Sequence, residues 1–218
     1  MKKILEILFG CFMVTKNYHD FVIKDGKFIG EFDEMYQNIE DSWFQSNIIE
    51  SISRQIKLIN LRKFGVRSAI EYGCGLGYFT NEIKKNTNCL ITGVDISKTD
   101  IDKAKVLFPD VQFMVDEVTN IKNYAHSEAI IFAEITWYIL DEIDKIFEIM
   151  LQYLPNKFFF QNLTFYQGGE QKYGRNYFTT LEEFIKYCPF KLIEKVEVTP
   201  SDAQKTIETH AVFKIIKK

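Results

Sequence analysis

The run Ala69-Ile70-Glu71-Tyr72-Gly73-Cys74-Gly75-Leu76-Gly77-Tyr78-Phe79 constrains this chain more than any other segment. An apolar stretch ends in an acid, three glycines follow at alternate positions, and a helix-like segment begins. The pattern reads as a strand entering a tight turn that opens a helix. Glycine is required there because the backbone turns sharply and comes close to a ligand, which a Cβ would hinder. The helix N-terminus behind the turn offers N–H groups to a polar cofactor. The bland alternative is a tight turn with no ligand. A dinucleotide fingerprint, G-x-G-x-x-G, would place its third glycine where Tyr78 stands, so the spacing argues against a dehydrogenase.

Further landmarks follow in order. Ile91-Thr92-Gly93-Val94-Asp95-Ile96-Ser97 reads as a strand ending in Asp95, where a carboxylate can accept both ribose hydroxyls of an adenosine. Val111–Val118 is a short strand ending in the acidic pair Asp116-Glu117, and either acid alone would read as a solvated loop charge. Ala129–Leu140 is a buried strand running into Glu134, the aromatic pair Trp137-Tyr138 and a helix.

The order Glu71-x-Gly73-x-Gly75-x-Gly77 resembles motif I of class I S-adenosylmethionine (SAM)-dependent methyltransferases. The resemblance implies that Glu71 helps hold the methionine ammonium and that Gly73, Cys74, Gly75 and Gly77 pass beneath the cofactor. It further implies Asp95 and Ile96 at the ribose, and Asp116, Glu117 and Val118 at the adenine, one acid taking the exocyclic amine and an apolar neighbour covering the ring. Glu134-Ile135-Thr136-Trp137-Tyr138-Ile139-Leu140 looks like a segment of the nodulation-factor N-methyltransferases, and Glu40-Asp41-Ser42-Trp43 resembles their D-P-W element with Ser42 in place of proline. The likeness spans about residues 31–165 and is strongest in motif I. Size, composition and motif set also look like small methyltransferases of bacterial capsule-modification loci, including those that methylate the phosphoramidate decoration. The implied cofactor is SAM, with S-adenosylhomocysteine (SAH) as product. The implied acceptor is small and polar: a sugar, a phosphoramidate or a nucleotide-linked precursor.

Composition fits one enzyme domain. With 218 residues, 46% hydrophobic and 26% charged, the chain can bury a full core. A net charge of −3 without a basic block gives no attraction to a nucleic-acid backbone. The 20 Phe and 11 Tyr exceed the needs of a core, so some should line a pocket. Cys11, Cys74, Cys89 and Cys188 lack metal or C-x-x-C spacing and read as buried thiols of a cytoplasmic protein without a metal. Lys2–Cys11 imitates a lipoprotein signal, but Glu6 interrupts the apolar run. An amphipathic helix packing on the core, or on a second subunit of a homodimer, fits better. No run is long enough to span a membrane.

The expected fold is α/β: a Rossmann-like methyltransferase sheet, mostly parallel with a C-terminal antiparallel strand pair, plus an N-terminal helical and hairpin appendage. Residues 1–45 are read as the appendage and active-site cover, and 46–218 as the methyltransferase domain. The appendage contains a hairpin over 21–29 turning at Asp25-Gly26, and a helix follows with Ile48, Ile49, Ile52, Ile56 and Ile59 on one face. Strands are expected near 67–72, 90–95, 111–115, 128–133 and 157–162. A core stripe runs through Ile139, Ile143, Ile146, Phe147, Met150 and Leu154, and an antiparallel pair over 191–199 and 206–216.

Methyl transfer asks mainly for alignment and exclusion of water. Tyr36, Trp43 and the 167–177 loop are candidates to cover the acceptor, with Lys172 and Arg175 available for an anionic group. Catalytic candidates are His19, Glu134 and Tyr138, whereas His126 reads as exposed and His210 as structural. Three rivals carry weight. A base-amine nucleic-acid methyltransferase would show an N/D-P-P-Y element where Glu134-Ile135-Thr136-Trp137 stands. A metal-dependent catechol-type enzyme would need a compact ligand set near the fourth strand. A non-catalytic SAM-binding subunit would keep the same glycines and acids.

Overall fold

The computed structural model describes residues 17–24, 26–47, 51–199 and 206–218. The expected hairpin forms from β1 (Ile23–Lys24) and β2 (Lys27–Phe28), with Gly26 at φ 75° in its turn; Asp25 lies outside the described residues. Helix α1 (Phe32–Asn38) follows, then α2 (Ile52–Lys63). The alternation then begins: β3 (Ser68–Tyr72), α3 (Tyr78–Asn86), β4 (Leu90–Asp95), α4 (Lys98–Leu107), β5 (Gln112–Val115), β6 (Ala129–Ala133) and α5 (Ile143–Tyr153). The chain closes with β7 (Phe158–Tyr166), α6 (Leu181–Tyr187), β8 (Phe190–Val198) and β9 (Thr206–Lys217).

The sheet has seven strands in the order β5-β4-β3-β6-β7-β9-β8. The pairs from β5 to β7 are parallel, and β9 pairs antiparallel with both β7 and β8. This is the Rossmann-like methyltransferase arrangement expected from the sequence. Strand order reverses between β3 and β6, and an open α/β sheet offers its ligand crevice outside the strand ends at such a point. Helix α5 buries Ile143, Ile146, Phe147 and Met150 against β6 and β7, with Leu154 just beyond. Each such side chain contributes about 1.5–3 kcal/mol when fully buried.

Helix α2 departs from expectation. Ile52 and Ile59 are exposed and Ile56 is half-buried; Ile48 and Ile49 lie outside the described residues. The buried face carries Ser53, Lys57, Leu58, Asn60 and Leu61 instead. A polar network rotates the helix. The Asn60 amide lies 3.2 Å from His210 Nε2, and Asn162 Oδ1 lies 3.4 Å from His210 Nδ1. An amide NH₂ can only donate, so Nε2 accepts and the proton sits on Nδ1. Burial, then the nearby Lys57, holds His210 well below its ordinary pKa, at about 3. Cys74, Cys89 and Cys188 are free and buried, whereas Cys11 and the Lys2–Cys11 segment lie outside the described residues.

Candidate active site

A cavity of about 660 Å³ opens at the carboxyl ends of β3, β4, β5 and β6. Gly73, Asp95, Ile96, Asp116, Glu117, Val118 and Glu134 line it, together with Tyr36, Trp43 and Tyr138. The structure thus gathers around one cavity residues that the sequence spreads over about a hundred positions. Other expected residues stand elsewhere. Glu71 is buried beneath the glycine turn, taking a 2.6 Å hydrogen bond from the Thr80 hydroxyl. The Cys74 side chain packs with Ile101, Ala104, Val111 and Phe113, away from the cavity. His19 is exposed, its ring tilted against Tyr18 at 4.0 Å, and is not on the cavity wall.

The glycines have a more specific cause than expected. Gly73, Gly75 and Gly77 all adopt positive φ, and neighbouring side chains close over them. A Cβ on Gly73 would meet Ile135 Cγ2 at 1.7 Å, one on Gly75 would meet the Tyr36 hydroxyl at 2.7 Å, and one on Gly77 would meet Phe113 at 2.4 Å. Of these glycines only Gly73 lines the cavity. The turn's N–H groups are already engaged: Gly75 donates to Asp95 Oδ2 at 3.0 Å and Leu76 to Gln45 Oε1 at 2.9 Å. The turn serves to hold Asp95, whose other oxygen takes the Ser97 N–H at 3.1 Å. Burial pushes Asp95 above the usual carboxylate range. Below it lies Asp100, fully buried, its pKa pushed up to about 10 by burial and by Asp95.

Partial burial raises Asp116, but hydrogen bonds from Asn120, Tyr124 and the Glu117 N–H outweigh it and hold the carboxyl low. Glu134 sits at φ 71°, a conformation that costs a non-glycine residue about 1–3 kcal/mol and concentrates at functional sites. Its carboxylate accepts from the Thr164 N–H at 2.9 Å and hydroxyl at 3.0 Å, while burial raises its pKa. Burial also raises the Tyr138 phenol, helped by Glu134, so it stays protonated at neutral pH.

The N-terminal segment builds the opposite wall. Asp41 accepts the Gln45 and Ser46 N–H groups at 2.7 and 3.0 Å, and this turn presents Trp43 and Gln45. Trp43 lies 4.7 Å from Tyr18 and 5.6 Å from Tyr138, ring to ring, and Phe32 lies 5.4 Å from Tyr138. Asp33 of α1 takes hydrogen bonds from the Ser97 hydroxyl and Thr99 N–H at the start of α4, at 2.9 and 2.8 Å. Tyr36 rests on Gly75, and so sits over the glycine turn as well as lining the cavity.

Arg54 also lines the cavity, a residue that sequence reasoning missed. Its guanidinium lies 5.2 Å from the Phe79 ring centroid, near enough to Glu71 and Glu134 to feel both carboxylates. The spacing of Arg54 and Lys57, one turn apart among the isoleucines and leucines of α2, was the available signal. Lys57 is fully buried without a hydrogen-bond partner for Nζ, and burial lowers its pKa to about 7. Lys172 is exposed and lines neither cavity, and Arg175 lines a separate one. Among the described residues no cluster of His, Cys, Asp and Glu could hold a metal, and no helix is long and apolar enough to cross a membrane.

Residues 69–157 match a family described as "Methyltransferase domain". The chain carries a SAM-dependent methyltransferase domain of the class I fold. The N-methyltransferase NodS from Bradyrhizobium japonicum WM9, solved with SAH, has the same fold as this methyltransferase at 16% identity. The match covers 84% of this chain and 96% of that one, with a TM-score of 0.65. A geranyl diphosphate methyltransferase in complex with SAM aligns at 11% identity over 91% of this chain and 95% of that one, TM-score 0.58. The MccD protein aligns at 11% over 74% and 96%, also with TM-score 0.58. No curated protein sequence matches this methyltransferase. The acidic, apolar and cationic groups of the cavity wall suit the ribose, adenine and carboxylate of its SAM cofactor.

Proposed function

We propose that this methyltransferase transfers a methyl group to oxygen on a small polar acceptor, a sugar hydroxyl of a bacterial capsule or surface polysaccharide being the preferred case. The observation that carries the reading is the two-sided cavity, with carboxylates and Arg54 at the strand ends facing the uncharged aromatics Tyr18, Phe28, Phe32, Trp43 and Tyr138. Aromatic faces suit a ring-shaped acceptor and exclude water from it. A phosphoramidate or its precursor fits less well, because Arg54 is the one cation on this wall among the described residues and it stands beside Glu71 and Glu134. A free amino sugar is the second reading, supported by the fold likeness to NodS; its nitrogen needs only deprotonation.

In this reading SAM supplies an electrophilic methyl group. Asp95 accepts the ribose hydroxyls, kept in place by the Gly75 and Ser97 N–H groups. Ile96 and Val118 flank the adenine, with Glu117 taking its amine while Asp116 braces the turn. Arg54 pairs with the methionine carboxylate. Tyr36 and Trp43 belong to an N-terminal cover, residues up to 45, that shuts out water. Glu134, raised toward neutrality and fixed by Thr164, takes the proton of the acceptor hydroxyl, and Tyr138 orients that hydroxyl by a hydrogen bond. His19 and Lys172 have no role here. Titration calorimetry with SAH should give binding that Asp95→Ala weakens at least tenfold. Glu134→Gln should keep SAH affinity within a few-fold while SAH production with capsule sugars falls about a hundredfold or more. Binding of NAD but not SAH, or full turnover in Glu134→Gln, would sink the assignments. A deletion strain whose capsule keeps every methyl group by mass spectrometry would reject the acceptor.

A further inference from the structure

A second cavity, of about 270 Å³, lies beside the first over the ends of β7, β9 and β8. Tyr166 lines both, so its half-exposed ring is the wall between them. The volume is at the lower edge of small-molecule sites and holds one ring. Gln171 reaches it from the 167–180 segment and is only 5% exposed. Its Nε2 donates to the carbonyls of Tyr173 and Phe178 at 3.1 and 3.0 Å. Carbonyls only accept, so chemistry fixes which way this amide points. Its Oε1 is therefore left buried without a hydrogen-bond partner. Such an orphan costs about 1–3 kcal/mol, a penalty that a hydroxyl in the cavity removes once the amide turns toward it on binding.

At the rim stand Arg175 and Glu197, both exposed and neither engaged in an ion pair among the described residues. Gly168 and Gly169 adopt positive φ and have open space where a Cβ would be, which leaves the mouth clear of side chains. The site thus offers a buried acceptor, a charged acceptor, a forked donor and an aromatic face. An inorganic anion would meet two acceptors beside one arginine, and an apolar ligand would leave Gln171 Oε1 unpaired. Hydroxyls both donate and accept, and a sugar ring carries a C–H face that lies on an aromatic ring.

We propose that this cavity binds a saccharide unit adjoining the one that receives the methyl group, with Tyr166 dividing the two units. The proposal rests on the sugar acceptor argued above and adds that the acceptor is at least a disaccharide. Gln171 takes a ring hydroxyl, Glu197 and Arg175 take others, and the non-reacting unit supplies binding that orients the reacting one.

Saturation-transfer NMR of the full chain held with SAH is the test, using glucose, N-acetylglucosamine and cellobiose at millimolar concentration. At least one probe should receive saturation, and Arg175→Ala or Glu197→Ala should weaken its binding about tenfold. Both residues are exposed, so the fold survives; Gln171→Leu, which also loses two internal donors, is the confirming variant only if it melts like the parent. Lys172→Ala, at an exposed residue that lines neither cavity, should leave sugar binding unchanged. No transfer to any sugar, an equal loss in Lys172→Ala, or displacement of the sugar by inorganic phosphate would overturn the subsite. SAH calorimetry separates the failures: heat with SAH and silence from every sugar sinks the subsite alone, while no heat with SAH sinks the reading beneath it as well.

Discussion

Replacing Gly73 by alanine will cost this enzyme both stability and cofactor affinity, and removing Ile135 will restore much of the affinity and part of the stability. The residue sits at φ 70°, where a side chain costs about 1–2 kcal/mol. Its new Cβ would fall 1.7 Å from Ile135 Cγ2, so Ile135 must move, at an overpacking cost of about 1–3 kcal/mol. Both residues line the cavity, and the displaced isoleucine narrows it. The expected loss is about 2–5 kcal/mol, or a fall in melting temperature of about 5–15 °C for a chain of this size. SAH affinity should fall at least tenfold by calorimetry. In Gly73→Ala/Ile135→Ala the clash is gone, leaving the dihedral cost and the lost packing of half-buried Ile135 on the core, so affinity should return to within a few-fold and stability in part. A single variant that melts and binds like the parent would refute the packing argument; a double variant no better than the single would place the fault in the backbone.

The second large effect concerns Lys57. Burial holds its pKa at about 7, with the opposing pull of Glu71 and Glu134 too weak to offset it, while the unfolded chain keeps the lysine charged to about 10.5. Between these values the unfolded state binds the extra proton. Lys57 therefore makes folding more favourable as pH rises from about 7, and its full penalty is present below that. Asp100 works in the opposite direction: its folded carboxyl keeps a proton up to about pH 10, so its contribution declines with pH across the same window. Wild-type stability alone would hide both trends, and the difference between Lys57→Met and wild type isolates one. Methionine removes a buried amine with no hydrogen-bond partner, so the variant should be more stable at pH 7 by about 1–3 kcal/mol. That advantage should shrink by about 1–2 kcal/mol toward pH 8.5, since each pKa unit is worth about 1.4 kcal/mol. Above that, unfolded cysteines begin to ionise while Cys74, Cys89 and Cys188 are held neutral, and the comparison blurs. Denaturant titrations at the two pH values provide the check; parallel profiles would contradict the buried, uncompensated amine.

The parts of the fold that could be read from the sequence are those whose burial is apolar. Strands β3, β4, β5 and β6 lie within a residue of their expected places because each is an apolar run ended by an acid or a glycine turn. The acids at those ends, Asp95, Asp116 and Glu134, then follow from topology alone, since parallel strands deliver their carboxyl ends to one edge. Helix α2 escaped because periodicity assumes that apolar residues face inward. Its orientation is set by Lys57, Asn60 and Arg54, whose partners on β9 and β3 are remote in sequence and invisible to a local pattern. The same limit misplaced Arg175. Its position depends on how the 167–180 loop packs, with Gly174 tight against Leu140 and Trp137, and no local motif encodes that. Glu71 and Cys74 were placed in the cavity because they share its motif, yet in β3 and the turn that follows it only some side chains can face the ligand.

Asp33 stands on a helix outside the sheet yet caps α4, and Gln45 from the same segment occupies a donor of the glycine turn. The proposed cover and the floor of the cavity are therefore joined by hydrogen bonds at the β3–α3 and β4–α4 turns. Linkage makes the joining reciprocal: whatever tightens the floor tightens the cover, and by the same free energy. Protection of the N-terminal segment against a protease is then a direct gauge of cofactor occupancy, readable without knowing the acceptor. It also means that trimming this chain to its recognisable domain, residues 69–157, would discard the caps that hold the domain's own ligand-facing turns in shape.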